Sequence, residues 1–208
     1  MPYDINRNEE LNIGLFCASR PSNDPVYMKA AYEFGQAVAK RGWGLVYGGG
    51  DKGLMGAAAD GALSEGGRVI GVIPDFLLGK EGDRDDLSEK HVMTSLNDRK
   101  ELIASRSAAF VTMPGGVGTI DELTEVWTWN VLGRHDKPVG IYNVNGYFDK
   151  LIEFINHMVG LELTGDHYMN AIRVANNVEG LLDAMIPEEK AAEILSRQEA
   201  SKNKTINE

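Results

Sequence analysis

The sequence is poor in cysteine, in histidine and in basic residues. It has one cysteine, Cys17, and four scattered histidines. A single cysteine forms no intramolecular disulfide and no cysteine-built metal site, which is typical of a reducing cytoplasm. The histidines lack metal-ligand spacing, so no metal is expected. With 21 Lys and Arg against 31 Asp and Glu, the net charge is -10, which argues against a nucleic-acid polymer as partner.

Long apolar runs are also absent. No stretch is long enough to span a bilayer, so no membrane partner is expected. The opening residues, MPYDINRNEE, lack the apolar centre of a secretory signal peptide. A chain of 208 residues with 43% hydrophobic residues suits one globular domain. We expect that domain over residues 1–186, followed by a charged C-terminal tail over residues 187–208 that forms a loose or peripheral helix.

Short apolar runs alternate with longer segments of helical period. Strands are predicted at LNIGLFCAS, WGLVYGGG, RVIGVIP, HVMT, AAFVTMP, KPVGIYNV and IRVAN, and the segments of helical period between them predict helices. This order predicts an α/β fold, a Rossmann-like, doubly wound and mostly parallel sheet with helices on both faces. Because the strand-to-helix loops of such a sheet share one edge, the loops CASR, GGGDKG and PGGVGT are expected to lie together at the ligand site.

The loop GGGDKG, from Gly48 to Gly53, satisfies the pattern G-x-G-x-x-G between a strand and a helix. Asp75 follows at roughly the distance of the acidic residue in a dinucleotide fingerprint. An NAD(P)-binding oxidoreductase is therefore one hypothesis, although the loop follows the second strand instead of the first. The alternative is that the glycines only permit tight turns.

The loop PGGVGT indicates a single bound phosphate at a helix N-terminus, and two interpretations of the acid behind it are open. Thr119 and Glu122 fit a capping box, with Thr119 beginning the helix and Glu122 folding back onto its amide. A catalytic Glu122 would instead point into the cleft towards Arg99.

Ser95 is expected to cap the helix that carries Arg99, with Asp98 completing the box. A cation so near a helix N-terminus opposes the helix dipole. Either Asp98 and Glu101 screen it, or an anion or a carboxylate such as Glu122 lies in front of it, and both interpretations are open.

The segments GGGDKGLMG, NDRK, PGGVGTIDELTEVWTW and GRHDKPVGIYNVNGYF together resemble the LONELY GUY (LOG) family, from about Leu11 to Ile186. The resemblance implies a Rossmann-like homodimer that hydrolyses cytokinin riboside 5'-monophosphates or AMP without a cofactor. Its small-molecule partner would thus be a nucleoside 5'-monophosphate. Asn97 and Asp98 stand where many relatives carry His and Glu, which leaves the preferred base open.

The resemblance also assigns residue roles. Arg99 and Glu122 would be the catalytic pair. The substrate contacts would be Ser19, Glu81, Lys100, Gly115, Gly116, Val117, Gly118, Thr119, Ile120, Asp121 and Thr128. A third hypothesis, a non-catalytic carrier of a phosphorylated pterin or nucleotide on the same fold, keeps the glycine loops but does not require Glu122.

Overall fold

A computed structural model describes residues 4–5, 10–80 and 84–206, and side chains up to residue 198. In these ranges seven strands form one parallel sheet in the order β4-β3-β2-β1-β5-β6-β7. The strands are β1 (Asn12–Phe16), β2 (Gly44–Tyr47), β3 (Val69–Pro74), β4 (Glu89–Met93), β5 (Ala109–Thr112), β6 (Val139–Tyr142) and β7 (Ile172–Ala175). Strands β1, β2, β3, β5 and β6 are buried along their whole length, as expected for a sheet covered on both faces.

Helices cover both faces of the sheet. They are α1 (Pro25–Lys40), α2 (Gly53–Ser64), α3 (Leu96–Arg106), α4 (Val117–Val131), α5 (Asp149–Gly160), α6 (Asp166–Asn170), α7 (Val178–Met185) and α8 (Glu188–Ile206). One core contains Leu15 of β1 with side chains of α1, α2, α7 and α8. The other contains the next residue, Phe16, with side chains of α3, α4 and α5. Successive residues of β1 thus enter opposite cores, because side chains alternate across a strand.

The order of the strands reverses at β1. The chain adds β2, β3 and β4 on one side of β1, then returns to place β5, β6 and β7 on the other. The loops after β1 and β5 therefore leave the sheet in opposite directions and open a crevice between them, which is where ligands bind in such sheets. The predicted fold class is confirmed, and the sheet is wholly parallel among the described residues.

The short helix α6 has no counterpart among the predicted elements. The tail after residue 186 forms a helix, α8, as expected, and its Ala191 and Ile194 are buried against the first core. The separation of a domain over residues 1–186 from a tail stays a prediction. None of the helices in the described ranges is long and apolar enough to cross a membrane.

Candidate active site

A cleft of about 760 Å³ opens at the carboxyl ends of β1 and β5. Backbone hydrogen bonds join the loops around it: the Ala18 amide donates to the Pro114 carbonyl at 3.1 Å, and the Met55 amide donates to the Ala18 carbonyl at 3.1 Å. The three loops predicted to share an edge therefore do meet there. The cleft is lined by residues 17–22, 54–55 and 114–119, together with Tyr27, Arg99, Glu122 and Tyr147.

The glycine loop after β5 ends in the N-terminus of α4. Gly116 is the N-cap residue, in an extended conformation, and no side chain caps this helix. The first amide groups of a helix have no intrahelical acceptors, and the residues that carry them here, Val117, Gly118 and Thr119, line the cleft. A Cβ on Gly115 would lie 2.1 Å from Thr119 Oγ1, so glycine is required for this close turn. The cleft thus receives free N–H donors and the positive end of a helix dipole.

The capping-box interpretation of Thr119 and Glu122 is wrong. Because α4 begins at Val117, Thr119 lies inside the first turn and Glu122 in the second. The helix starts earlier than predicted because Gly116 adopts the N-cap conformation without any side-chain signature. By contrast, the prediction for Ser95 is confirmed, since its hydroxyl accepts a hydrogen bond from the Asp98 amide at 3.1 Å.

Arg99 and Glu122 form an ion pair at the cleft. Arg99 Nη2 lies 3.4 Å from Glu122 Oε1, and each side chain is only 8% exposed. Arg99 Nε also donates to the Val72 carbonyl at 3.1 Å, which holds the guanidinium against β3. Of the two orientations considered for Glu122, the structure has the one directed towards Arg99. Cys17 lies close by, and burial, with a smaller contribution from Glu122, raises the pKa of its thiol well above the ordinary value.

The glycines of GGGDKG are used in packing. A Cβ on Gly48 would lie 2.2 Å from Arg99 Nη2, so this glycine makes room for the guanidinium. Gly53 has a φ of +58°, and a Cβ there would lie 2.5 Å from the Arg20 carbonyl carbon. The N-terminus of α2 is therefore covered by the loop after β1. This packing disfavours a dinucleotide pyrophosphate at that helix end, although G-x-G-x-x-G suggested one.

Tyr147 contacts the glycine loop after β5 from the far side of the crevice. It follows the short 3₁₀ turn Val144–Gly146 after β6, and its hydroxyl donates to the Gly115 carbonyl at 2.6 Å. The ring of Tyr27 meets the ring of Tyr147 edge-on, with centroids 5.7 Å apart. These two tyrosines and Arg20 were missed by the sequence analysis. Two of them could have been found from their positions in the sequence, because Tyr147 follows the carboxyl end of a strand and Arg20 belongs to the loop CASR.

The structure does not bring all predicted substrate contacts into the cleft. Lys100 forms ion pairs with Asp121, at 3.1 Å, and with Glu125, at 2.8 Å. Burial lowers the pKa of Lys100, but its bonds to the two carboxylates outweigh that effect and raise it above the ordinary value. Ile120 packs against a core and Thr128 is exposed.

Among the predicted contacts, Ser19 and the residues from Gly115 to Thr119 line the cleft. Lys100, Ile120, Asp121 and Thr128 do not, and their role stays a prediction. Glu81 lies outside the described residues. The described lining includes no lysine, and the described residues contain no group of three or more His, Cys, Asp or Glu side chains suited to a metal ion.

A crevice at the switch point of a parallel sheet, with an uncapped helix N-terminus and a buried acid, is typical of α/β proteins that bind anionic ligands. Comparisons with known proteins identify the family within this class. The sequence model described as "Possible lysine decarboxylase" matches residues 55–185. The chain is 37% identical to the cytokinin riboside 5'-monophosphate phosphoribohydrolase of Mycobacterium tuberculosis, over 90% of this chain and 100% of that one.

A probable cytokinin riboside 5'-monophosphate phosphoribohydrolase of Arabidopsis thaliana is 41% identical, over 86% of this chain and 90% of that one. Among solved structures, the molybdenum cofactor binding protein of Rippkaea orientalis is similar in fold, with a TM-score of 0.64 and 23% identity over 84% of this chain and 94% of that one. At that identity the likeness extends to the fold alone. The chain belongs to the LOG family.

Proposed function

We propose that the protein hydrolyses the N-glycosidic bond of purine riboside 5'-monophosphates, either cytokinin nucleotides or AMP, and releases the free base and ribose 5-phosphate. The names of the relatives support this substrate class. The observation that carries the proposal is the buried pair of Arg99 and Glu122, which lines the same cleft as the glycine loop. Phosphate-binding groups and a candidate catalytic acid thus share one cavity.

Cleavage of a purine from ribose 5-phosphate passes through an oxocarbenium-like state. That state requires a negative group near the developing cation and a positioned water molecule. Glu122 would supply the negative charge and orient or deprotonate the water. Arg99, which is held by the Val72 carbonyl, would keep Glu122 ionised and fix the angle of its carboxylate.

The glycine loop would hold the 5'-phosphate. The amides at the start of α4 are the donors, and the dipole of this 15-residue helix adds positive potential. Binding energy from the phosphate, which does not react, would position the sugar for attack at the anomeric carbon. Nucleoside monophosphates should therefore be much better substrates than free nucleosides.

Incubation of the protein with AMP and with isopentenyladenosine monophosphate tests this proposal. Chromatography should detect free base and ribose 5-phosphate in equal amounts, and the ratio of the two rates gives the preferred base. Adenosine under the same conditions should release far less adenine. No base from either nucleotide, in a sample that is folded by circular dichroism, would contradict the proposal. A carrier function would predict AMP binding without turnover.

We also propose a homodimer, as the family resemblance implies. Leu132, Phe154 and Leu163, on or just beyond α4 and α5, are 73%, 58% and 75% exposed, and we propose that a second copy of the chain covers such side chains. Size-exclusion chromatography with light scattering should give about twice the chain mass, and a monomer at every concentration would contradict this. A cytoplasmic location stays a prediction from the single cysteine.

A further inference from the structure

Arg20 is a cation of the cleft that has no carboxylate partner among the described residues. The chain has a large excess of acids, and most of its other arginines are engaged: Arg41 with Glu179 and Asp183, Arg68 with Glu10 and Glu89, Arg84 with Asp60 and Asp86, Arg106 with Glu10 and Glu89, Arg197 with Glu193. In the cleft itself, Arg99 is paired with Glu122. The charges along the described lining therefore leave one net positive charge, and Arg20 supplies it.

The backbone of Arg20 is fixed although its side chain is exposed. Gly53 packs directly against the Arg20 backbone. Two residues earlier, the Ala18 amide donates to the Pro114 carbonyl, beside the glycine loop. The backbone of Arg20 is therefore no more than about 7 Å from that of Ala18, because two residues of extended chain span at most this distance. An arginine side chain is about as long, so the guanidinium can reach an anion bound at Gly115–Thr119.

We propose that Arg20 binds the 5'-phosphate from the side opposite the glycine loop, and so selects phosphorylated nucleosides over free ones. The inference rests on the proposed function, because it assigns a phosphate to this cleft. The glycine loop offers only neutral N–H donors, whereas a phosphate monoester carries a charge of about -1.5 to -2 at pH 7. Glu122 would repel it, and Arg99 already compensates Glu122. A guanidinium that donates no hydrogen bond to another described residue is suited to the remaining phosphate oxygens.

The test compares Arg20→Gln, Arg20→Lys and a control, Arg173→Gln. Arg173 lies on the edge strand β7, far along the sheet from the cleft, and among the described residues its side chain donates to the Asn170 carbonyl alone. Both Gln variants change the net charge equally, so a general electrostatic effect would appear in both. Kinetics with AMP and adenosine are combined with calorimetric titration of AMP and of inorganic phosphate.

We expect Arg20→Gln to raise the KM and Kd for AMP, and the Kd for phosphate, about tenfold, the effect of losing one charge-assisted hydrogen bond at an exposed site. The value of kcat should stay within about threefold, because the lost interaction is made equally in ground and transition states. Adenosine should be unaffected. Arg20→Lys should recover part of the loss, and Arg173→Gln should match the wild type.

The outcomes separate the inference from the proposed function. Unchanged AMP and phosphate affinities in Arg20→Gln, with AMP still hydrolysed, overturn the inference alone. Binding that depends on Arg20 without release of base from AMP or from isopentenyladenosine monophosphate supports the inference and overturns the hydrolase. Equal losses for AMP and adenosine overturn the inference too, because they would indicate a structural effect instead of phosphate recognition. A wild-type protein that binds neither AMP, nor isopentenyladenosine monophosphate, nor phosphate overturns both.

Discussion

Replacement of Glu122 by Gln removes one charge from the cleft and little else. The amide has the shape of the carboxylate and keeps an oxygen facing Arg99, whose Nη2 lies 3.4 Å from Oε1 in the structure. Two unit charges about 4 Å apart interact by about 4 kcal/mol at an effective dielectric constant of about 20. Since each 1.4 kcal/mol or so changes a rate tenfold, loss of the charge beside an oxocarbenium-like state should lower kcat about 1,000-fold.

Binding and folding should change much less. AMP affinity should stay within about threefold, because the proposed phosphate contacts come from the glycine loop. Breaking a buried ion pair costs about 3–5 kcal/mol of unfolding free energy, but the Gln oxygen still accepts from Arg99, so we expect a loss of about 1–2 kcal/mol. Base release by chromatography, AMP titration by calorimetry and urea unfolding measure the three quantities.

Glu125→Gln is the matched control, since it makes the same chemical change three residues further along α4. Glu125 pairs with Lys100 and does not line the cleft, so kcat should remain within about threefold of the wild type. If Glu122→Gln keeps kcat within tenfold while the protein is folded, the carboxylate is not catalytic and our reasoning fails. If AMP binding is lost together with turnover, Glu122 is a binding residue.

Gly48→Ala should lower kcat about 10- to 100-fold, because a Cβ 2.2 Å from Arg99 Nη2 displaces the guanidinium. Steady-state kinetics measure the change in kcat. Tyr147→Phe should raise the KM for AMP about fivefold with kcat nearly unchanged, because the bond to the Gly115 carbonyl is lost. Burial lowers the pKa of Lys137 from its ordinary 10.5 to about 8. The folded chain then holds fewer protons than the unfolded chain, so the free energy of unfolding should rise by about 3 kcal/mol between pH 8 and 10.5, and Lys137→Met should remove this rise.

Each of these predictions has its own control. Gly160→Ala places a methyl group where no atom lies within 4 Å, and it should leave kcat unchanged. Tyr27→Phe removes a hydroxyl from the same cleft, and an equal increase in KM there would mean that the Gly115 bond is irrelevant. For Lys137 the measured quantity is the difference between wild type and variant, because Cys17, whose pKa burial raises, contributes the opposite slope above about pH 9.

Local pattern predicted most of the fold. The apolar runs became strands, the helical segments between them became helices, and Ser95 caps α3 as expected. These features depend on neighbouring residues only, through strand and helix periodicity and through hydrogen bonds between residues three apart. The start of α4 was misplaced for the same reason, because Gly116 caps without a side chain and leaves no pattern to detect.

The sequence by itself determined an α/β chain whose loop motifs share one edge of a sheet, and family resemblance singled out Arg99 and Glu122. Only the tertiary structure decided that these two side chains meet, because the order of β1, β3 and β5 sets the distance between them. Packing between distant segments also decided that Gly48 leaves room for the guanidinium of Arg99. It left Arg20 without a carboxylate partner among the described residues, a consequence of spatial neighbours that no local pattern contains.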